Sequence, residues 1–197
     1  IVNQGAIVSQ FESVLVATQN SGTGSFSLEN SGSITTRGDD VTLQLGGNTV
    51  HTVVNSGSLV NLGSNEVIGT DTFPTVGHQL ILENSGSIST GGITAIRWKN
   101  DSASTINVLN TGSIDGIVIG GGGNDRIENS GQIFGTVLLN NGNDQYIARQ
   151  AGTADTVFGQ AGNDTITGSS EDDVFDGGSG NDTLRGAGGD DSLQGNS

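Results

Sequence analysis

The chain has 197 residues, and only 31% of them are hydrophobic and 4% aromatic, while glycine alone fills 34 positions. A compact globule of this length needs more large apolar side chains than that, so a thin, turn-rich repeat architecture fits better. Six basic residues against 21 acidic ones leave a net charge of −15, which disfavours nucleic acid and anionic membrane surfaces and points to cations as partners.

The lack of cysteine removes disulfides as a source of stability. No stretch approaches the roughly 20 apolar residues of a membrane-spanning helix. Disorder is the bland alternative for such a composition, but Val, Ile, Leu and Thr recur at short, regular intervals throughout. The start, Ile1-Val2-Asn3, is neither an initiator methionine nor a signal peptide. The end, Gly195-Asn196-Ser197, stops inside another repeat, so the chain is expected to be a fragment of something longer.

The first repeat met along the chain is Asn-polar-Gly-x-apolar. It occurs at Asn3-Gln4-Gly5-Ala6-Ile7, Asn30-Ser31-Gly32-Ser33-Ile34 and Asn55-Ser56-Gly57-Ser58-Leu59. It returns at Asn84-Ser85-Gly86-Ser87-Ile88, Asn110-Thr111-Gly112-Ser113-Ile114 and Asn129-Ser130-Gly131-Gln132-Ile133, with a weaker copy at Asn20-Ser21-Gly22. The steps between full copies are 27, 25, 29, 26 and 19 residues, the spacing of a solenoid rather than of hairpins. The intervening segments alternate as strands do, for example Val41-Thr42-Leu43-Gln44-Leu45 and Thr105-Ile106-Asn107-Val108-Leu109. One rung of a parallel β-helix per copy follows. In that rung the Asn-Ser-Gly turn supplies a positive φ, the next apolar residue points inward, and the asparagines stack as a hydrogen-bonded ladder. An antiparallel β-sandwich with Asn-Gly hairpins is the competing architecture.

Within this part, Asp39-Asp40 follows a glycine and reads as a turn. His51 and His78 are solitary, as ordinary surface or packing residues are. Arg97-Trp98-Lys99 holds the only Trp and the only Lys. An aromatic ring beside cations suits a sugar ring, although a tryptophan covering an irregular rung explains it more simply.

Acid is denser further on: residues 121–197 hold 12 acidic and 3 basic residues, against 9 and 3 in residues 1–120. From Gln150 the chain can be counted in nines without a slip. The sixth place is then Asp155, Asp164, Asp173, Asp182 and Asp191, and the eighth is Val157, Ile166, Phe175, Leu184 and Leu193. Two isolated copies precede the run, Gly120-Gly121-Gly122-Gly123-Asn124-Asp125 and Leu139-Asn140-Asn141-Gly142-Asn143-Asp144. Six loop residues and three strand residues per unit make two units, or 18 residues, per turn. Aspartates 18 apart then face one another across the strand spacing of about 4.8 Å. Such a gap suits calcium, which takes six to eight oxygens from carboxylates and carbonyls. One column holds Asp155, Asp173 and Asp191; the other holds Asp125, Asp144, Asp164 and Asp182.

This run resembles the RTX family of secreted bacterial proteins, whose nonapeptide Gly-Gly-x-Gly-x-Asp-x-U-x binds calcium. The copy at Asp155 lacks most of the glycines, that at Asp144 lacks the first two, and that at Asp173 has Ser170 and Glu171 among them. The resemblance implies that carbonyls at places two and four join the aspartate of one loop, and those at places one and three join the aspartate of the loop below. Carried onto this chain, Gln160, Gly162 and Asp164 act with Gly177, Ser179 and Asp182, and Ser169, Glu171 and Asp173 act with Gly186, Gly188 and Asp191. It also implies type I secretion of an unfolded chain that folds on extracellular calcium.

The expected architecture is therefore all-β. A right-handed parallel β-helix over residues 1–119 continues into a calcium-binding parallel β-roll over residues 120–197, as one solenoid. The expected function is a calcium-binding structural region of a secreted bacterial protein, serving as folding module, spacer or adhesive stalk. Calcium ions are the expected partners, and an extracellular polysaccharide or cell surface is the further partner left open. The rival is a β-helical polysaccharide lyase, epimerase or binding module. A zinc protease or a lipase-type hydrolase is disfavoured, since the chain has no His-Glu-x-x-His and no Gly-x-Ser-x-Gly motif. An EF-hand is excluded because no loop ends in a bidentate Glu at place twelve.

Overall fold

A computed structural model describes residues 1–10, 15–17, 25–46, 50–70 and 77–196; the weaker copy at Asn20-Ser21-Gly22 lies outside them. Among the described residues the regular elements are all strands, every pairing between them is parallel, and no helix is long and apolar enough to cross a membrane.

Two sheets run the length of the molecule. The first stacks Val2–Asn3, Phe26–Asn30, Val50–Asn55, Gln79–Asn84, Thr105–Asn110, Arg126–Asn129, Gln145–Ala148, Thr165–Thr167 and Thr183–Arg185. The second stacks Ala6–Ser9, Ser33–Thr36, Ser58–Asn61, Ser87–Arg97, Ser113–Ile119, Gln132–Leu138, Thr153–Phe158, Val174–Asp176 and Ser192–Gln194. A third side, made by Leu15–Ala17, Leu43–Leu45 and Ile68–Thr70, merges into the second sheet by pairing with the 11-residue strand Ser87–Arg97. Loss of that third side shortens each coil. Asparagines in register are 25, 29 and 26 residues apart in the early coils and 19 apart at Asn110–Asn129. Aspartates lower down are 20 and then 18 apart.

Side-chain alternation decides which face is inside. Leu28, Val53, Leu82, Val108, Ile127, Tyr146 and Ile166 lie one above another on the first sheet, all buried. Ile34, Leu59, Ile88, Ile114 and Ile133, each two places after the turn glycine, form the facing column and are buried as expected. The narrow lower coils enclose less: Leu193 is 44% exposed.

The asparagine ladder exists. Asn3 Nδ2 donates to Asn30 Oδ1 at 2.7 Å, Asn30 to Asn55 at 2.7 Å, Asn55 to Asn84, Asn84 to Asn110 and Asn110 to Asn129 at 2.8 Å. The ladder ends on the hydroxyl of Tyr146, 3.4 Å from Asn129 Nδ2. The turn glycines have a different reason from the one expected. None of Gly32, Gly57, Gly86, Gly112 and Gly131 adopts a left-handed φ. Instead, a Cβ on Gly86 would lie 2.0 Å from the carbonyl oxygen of Gly57 in the coil above, and the others are as crowded. Close stacking of successive turns, not φ, requires glycine there.

Arg97-Trp98-Lys99 offers no aromatic platform to a sugar. Trp98 is only 1% exposed, its Nε1 donates to His78 O at 3.2 Å, and it meets both His51 and His78 edge-on at 6.0 and 6.4 Å. The two histidines are thus not solitary but share one buried tryptophan. Arg97 pairs with Glu66, and Lys99 lies 3.8 Å from Asp101. Asp39 behaves as a turn residue, accepting from Ser64 N and Oγ.

Candidate metal sites

Four of the five nonapeptides place a three-residue strand after the aspartate: Thr165–Thr167, Val174–Asp176, Thr183–Arg185 and Ser192–Gln194. Ile166 registers with Leu184 and Phe175 with Leu193, so units two apart do lie one above the other. The residue at place eight, buried at Ile166 and Phe175, partly buried at Leu184 and exposed at Leu193, belongs to the strand, and the loop before it presents the aspartate to the gap between coils.

The aspartates form ladders of their own. Asp125 N donates to Asp144 Oδ1 at 2.7 Å, Asp144 N to Asp164 Oδ1 at 2.8 Å, and Asp164 N to Asp182 Oδ1 at 2.9 Å. In the second column Asp173 N donates to Asp191 Oδ1 at 3.0 Å. Asp155 is not brought into such a loop; it lies exposed within the strand Thr153–Phe158. One carboxylate oxygen is thus spent on the coil above. The other is not: the Oδ2 atoms of Asp144, Asp164 and Asp182 are buried without a hydrogen-bond donor. A buried anionic oxygen left in that state is costly.

Burial raises the affinity of these carboxyls for protons. It pushes Asp125 up to about 7 and Asp144 up to about 8, the latter helped by the neighbouring charges of Asp125 and Asp164. Asp164 and Asp173 are pushed up in the same direction, chiefly by burial and then by repulsion from Asp182 and Asp191 respectively.

Carbonyl oxygens converge on the same places. A Cβ on Gly159 would lie 2.3 Å from Asp164 Oδ2 and 2.4 Å from Gly177 O; one on Gly168 would lie 2.3 Å from Asp173 Oδ2 and 2.2 Å from Gly186 O. Gly159 and Gly168, each at place one of its unit, therefore border a small cradle that a side chain would fill; the Asp144 unit has Leu139 in that place. The loop below delivers its first carbonyl to that cradle through a left-handed residue at place two. Asn140, Gln160, Gly178 and Ala187 all have φ between 71° and 91°. Place two has the opposite peptide orientation at Gly121 and Ser169, whose N–H groups cap Asp125 Oδ2 at 2.7 Å and Asp173 Oδ2 at 2.8 Å.

The remaining residues of the expected ligand set sit around the same gaps with their carbonyls in use. Gln160 O accepts from both Ser179 N at 2.7 Å and Ser179 Oγ at 3.2 Å, so an ion there would take the place of the hydroxyl; Ser179 O accepts from Gly162 N at 2.9 Å and Ser169 O from Gly188 N at 3.0 Å. A Cβ on Gly180 would lie 1.9 Å from Gly162 O, and one on Gly189 would lie 2.6 Å from Glu171 O. A carbonyl has two lone pairs, so one hydrogen bond leaves it able to bind a cation. Among the described residues no three His, Cys, Asp or Glu side chains converge. Any ion here takes most of its oxygens from the backbone, which is calcium chemistry rather than that of zinc. The donor-free carboxylate oxygens and the glycine-lined cradles fit such an ion.

Residues 151–184 and 176–197 match the family model described as the RTX calcium-binding nonapeptide repeat, in four copies. No curated protein and no solved structure matches the chain. The five-unit register, the stacked aspartates and the family match coincide, and residues 151–197 are RTX calcium-binding nonapeptide repeats.

Proposed function

We propose that residues 120–197 are a calcium-operated folding segment of a secreted protein, continuous with a structural β-helix over residues 1–119. The ligands in the first column are Gln160, Gly162 and Asp164 from one loop with Gly177, Ser179 and Asp182 from the next, and Asp144 serves the gap above. In the second column they are Ser169, Glu171 and Asp173 with Gly186, Gly188 and Asp191. The observation that carries this reading is the stack of buried, donor-free Oδ2 atoms on Asp144, Asp164 and Asp182. Without a cation these oxygens oppose folding; with one, binding free energy becomes folding free energy. Millimolar calcium outside a cell then orders the lower coils, whereas an intracellular chain stays loose enough for export. The folded segment acts as a spacer or adhesive stalk.

Calcium titration followed by circular dichroism tests this, with the β signal expected to rise as the lower coils form. No gain up to about 10 mM, above the weakest extracellular sites, overturns the reading. Gly159→Ala sharpens the test, because its methyl group occupies the cradle shared by Asp164 and Gly177. Calorimetry should show at least tenfold weaker binding at that gap, the scale of loss typical of disturbed metal sites.

A further inference from the structure

The uppermost gap, between the loops at residues 120–125 and 139–144, is built unlike those below it. Both oxygens of Asp125 are satisfied: Oδ1 accepts from Ile106 N and Oδ2 from Gly121 N, each at 2.7 Å. From beneath, Asn140 reaches up with its side-chain amide, and Nδ2 donates to Gly120 O at 2.9 Å and to Gly121 O at 3.2 Å. All these contacts are buried, and Asn140 itself is 8% exposed. In the next coils the same place is taken by Gln160, whose side chain is exposed, and by Gly178, which has none. There the carboxylate Oδ2 atoms of Asp144, Asp164 and Asp182 have no donor.

The Asn140 amide lies in the gap itself, bonded to the two carbonyls that an ion there would face. An ion entering the top gap would have to displace the Asn140 amide from two buried carbonyls. Expelling that amide costs two buried hydrogen bonds, a cost the lower gaps, with exposed Gln160 and with Gly178 in its place, do not carry. The residues of this gap therefore do not fit the metal that the lower gaps fit.

We propose that the Asn140 amide stands in for a calcium ion in the top gap. The row of ions then begins one coil lower, at Asp144, and the first nonapeptide coil is joined to the β-helix by protein hydrogen bonds alone. Asp125 is a hydrogen-bond acceptor and not a ligand. A calcium-independent joint of this kind gives the lower coils an ordered template before any ion arrives. The inference rests on the reading of the lower gaps as calcium sites.

Counting bound calcium by calorimetry and elemental analysis tests it by gain of function. Asn140→Gly removes the amide at a left-handed φ that glycine accepts freely, and the variant should bind one more ion than wild type. In chelator its melting temperature should fall below that of wild type, and calcium should raise it by more. Asn140→Ala is the second variant, since Ala187 already holds the equivalent φ of 83° in the other column; it should gain the same ion. Equal, nonzero counts in wild type and both variants overturn the proposal alone, as does an ion beside Asp125 in crystals of the calcium-loaded wild type. Failure of all three proteins to bind calcium overturns the reading of the lower gaps and this inference with it.

Discussion

The coils of residues 26–119 and those of residues 159–194 stack strand upon strand in the same parallel register, yet they close their turns with different chemistry. In the upper coils an asparagine fills the turn. Its amide is donor and acceptor at once, so each Nδ2 satisfies the next Oδ1 and the neutral column completes itself. In the lower coils the repeating side chain is aspartate, which only accepts. In the column of Asp164 and Asp182, Oδ1 of Asp182 takes the backbone N–H of the coil above, and the Oδ2 atoms have nothing left to take. Two nearly isosteric side chains thus separate a self-sufficient stack from one that is incomplete without a cation. The cores differ in the same sense: upper coils of 25 to 29 residues enclose large aliphatic columns, while an 18-residue coil encloses little more than its place-eight residue.

Chelation should expose this contrast most strongly. Hydrogen exchange in excess EGTA is expected to remove protection from residues 159–194 while residues 79–119 remain protected. Uniform loss across both regions would show that the asparagine stack is not independent of calcium.

A smaller effect is expected from Asn84→Ala. It leaves the Asn55 amide and the Asn110 carbonyl oxygen without their buried partners and removes the bond to Ser113 O. At roughly 1–3 kcal/mol for a buried group left unsatisfied, urea melts should show about 3 kcal/mol lost, equally with and without calcium. A loss that calcium repairs would break the distinction between the two stacks.

The mildest effect is on pH dependence. Asp144, raised to about 8, and Asp125, raised to about 7, hold protons in the metal-free fold that they release in the unfolded chain at neutral pH. Their folded pKa lies above the unfolded value near 3.9. The metal-free coils are therefore most favoured below about pH 4, and that contribution is lost as pH rises toward 8. Calcium must displace the Asp144 proton, so its affinity should rise with pH up to about 8, by no more than tenfold per unit for each proton released. Calorimetry in buffers of different ionisation enthalpy reads those protons directly; an affinity that is flat between pH 6 and 8 contradicts the buried-carboxyl picture.

Much of this was legible in the residues. The spacing of Asn-polar-Gly turns gave the rungs and the ladder, and the nine-residue count gave the stacking of Asp164 on Asp182. Other features were misread. The turn glycines were assigned to positive φ, when close contact with the coil above demands them. Trp98 is the packing residue that the simpler reading of Arg97-Trp98-Lys99 made it, and the sugar platform is absent. Asn140 was visible as a departure from glycine, and nothing in the motif marks it as a donor to the loop above.

Sequence by itself determined the strand period, the inward residues and the repeating aspartate, because each follows from alternation and spacing within one unit. Tertiary structure alone decided the peptide orientation at place two, and with it which carboxylates keep a free oxygen. That choice depends on what lies one coil away, 18 to 20 residues distant in the chain. Only stacking brings those atoms within reach of one another.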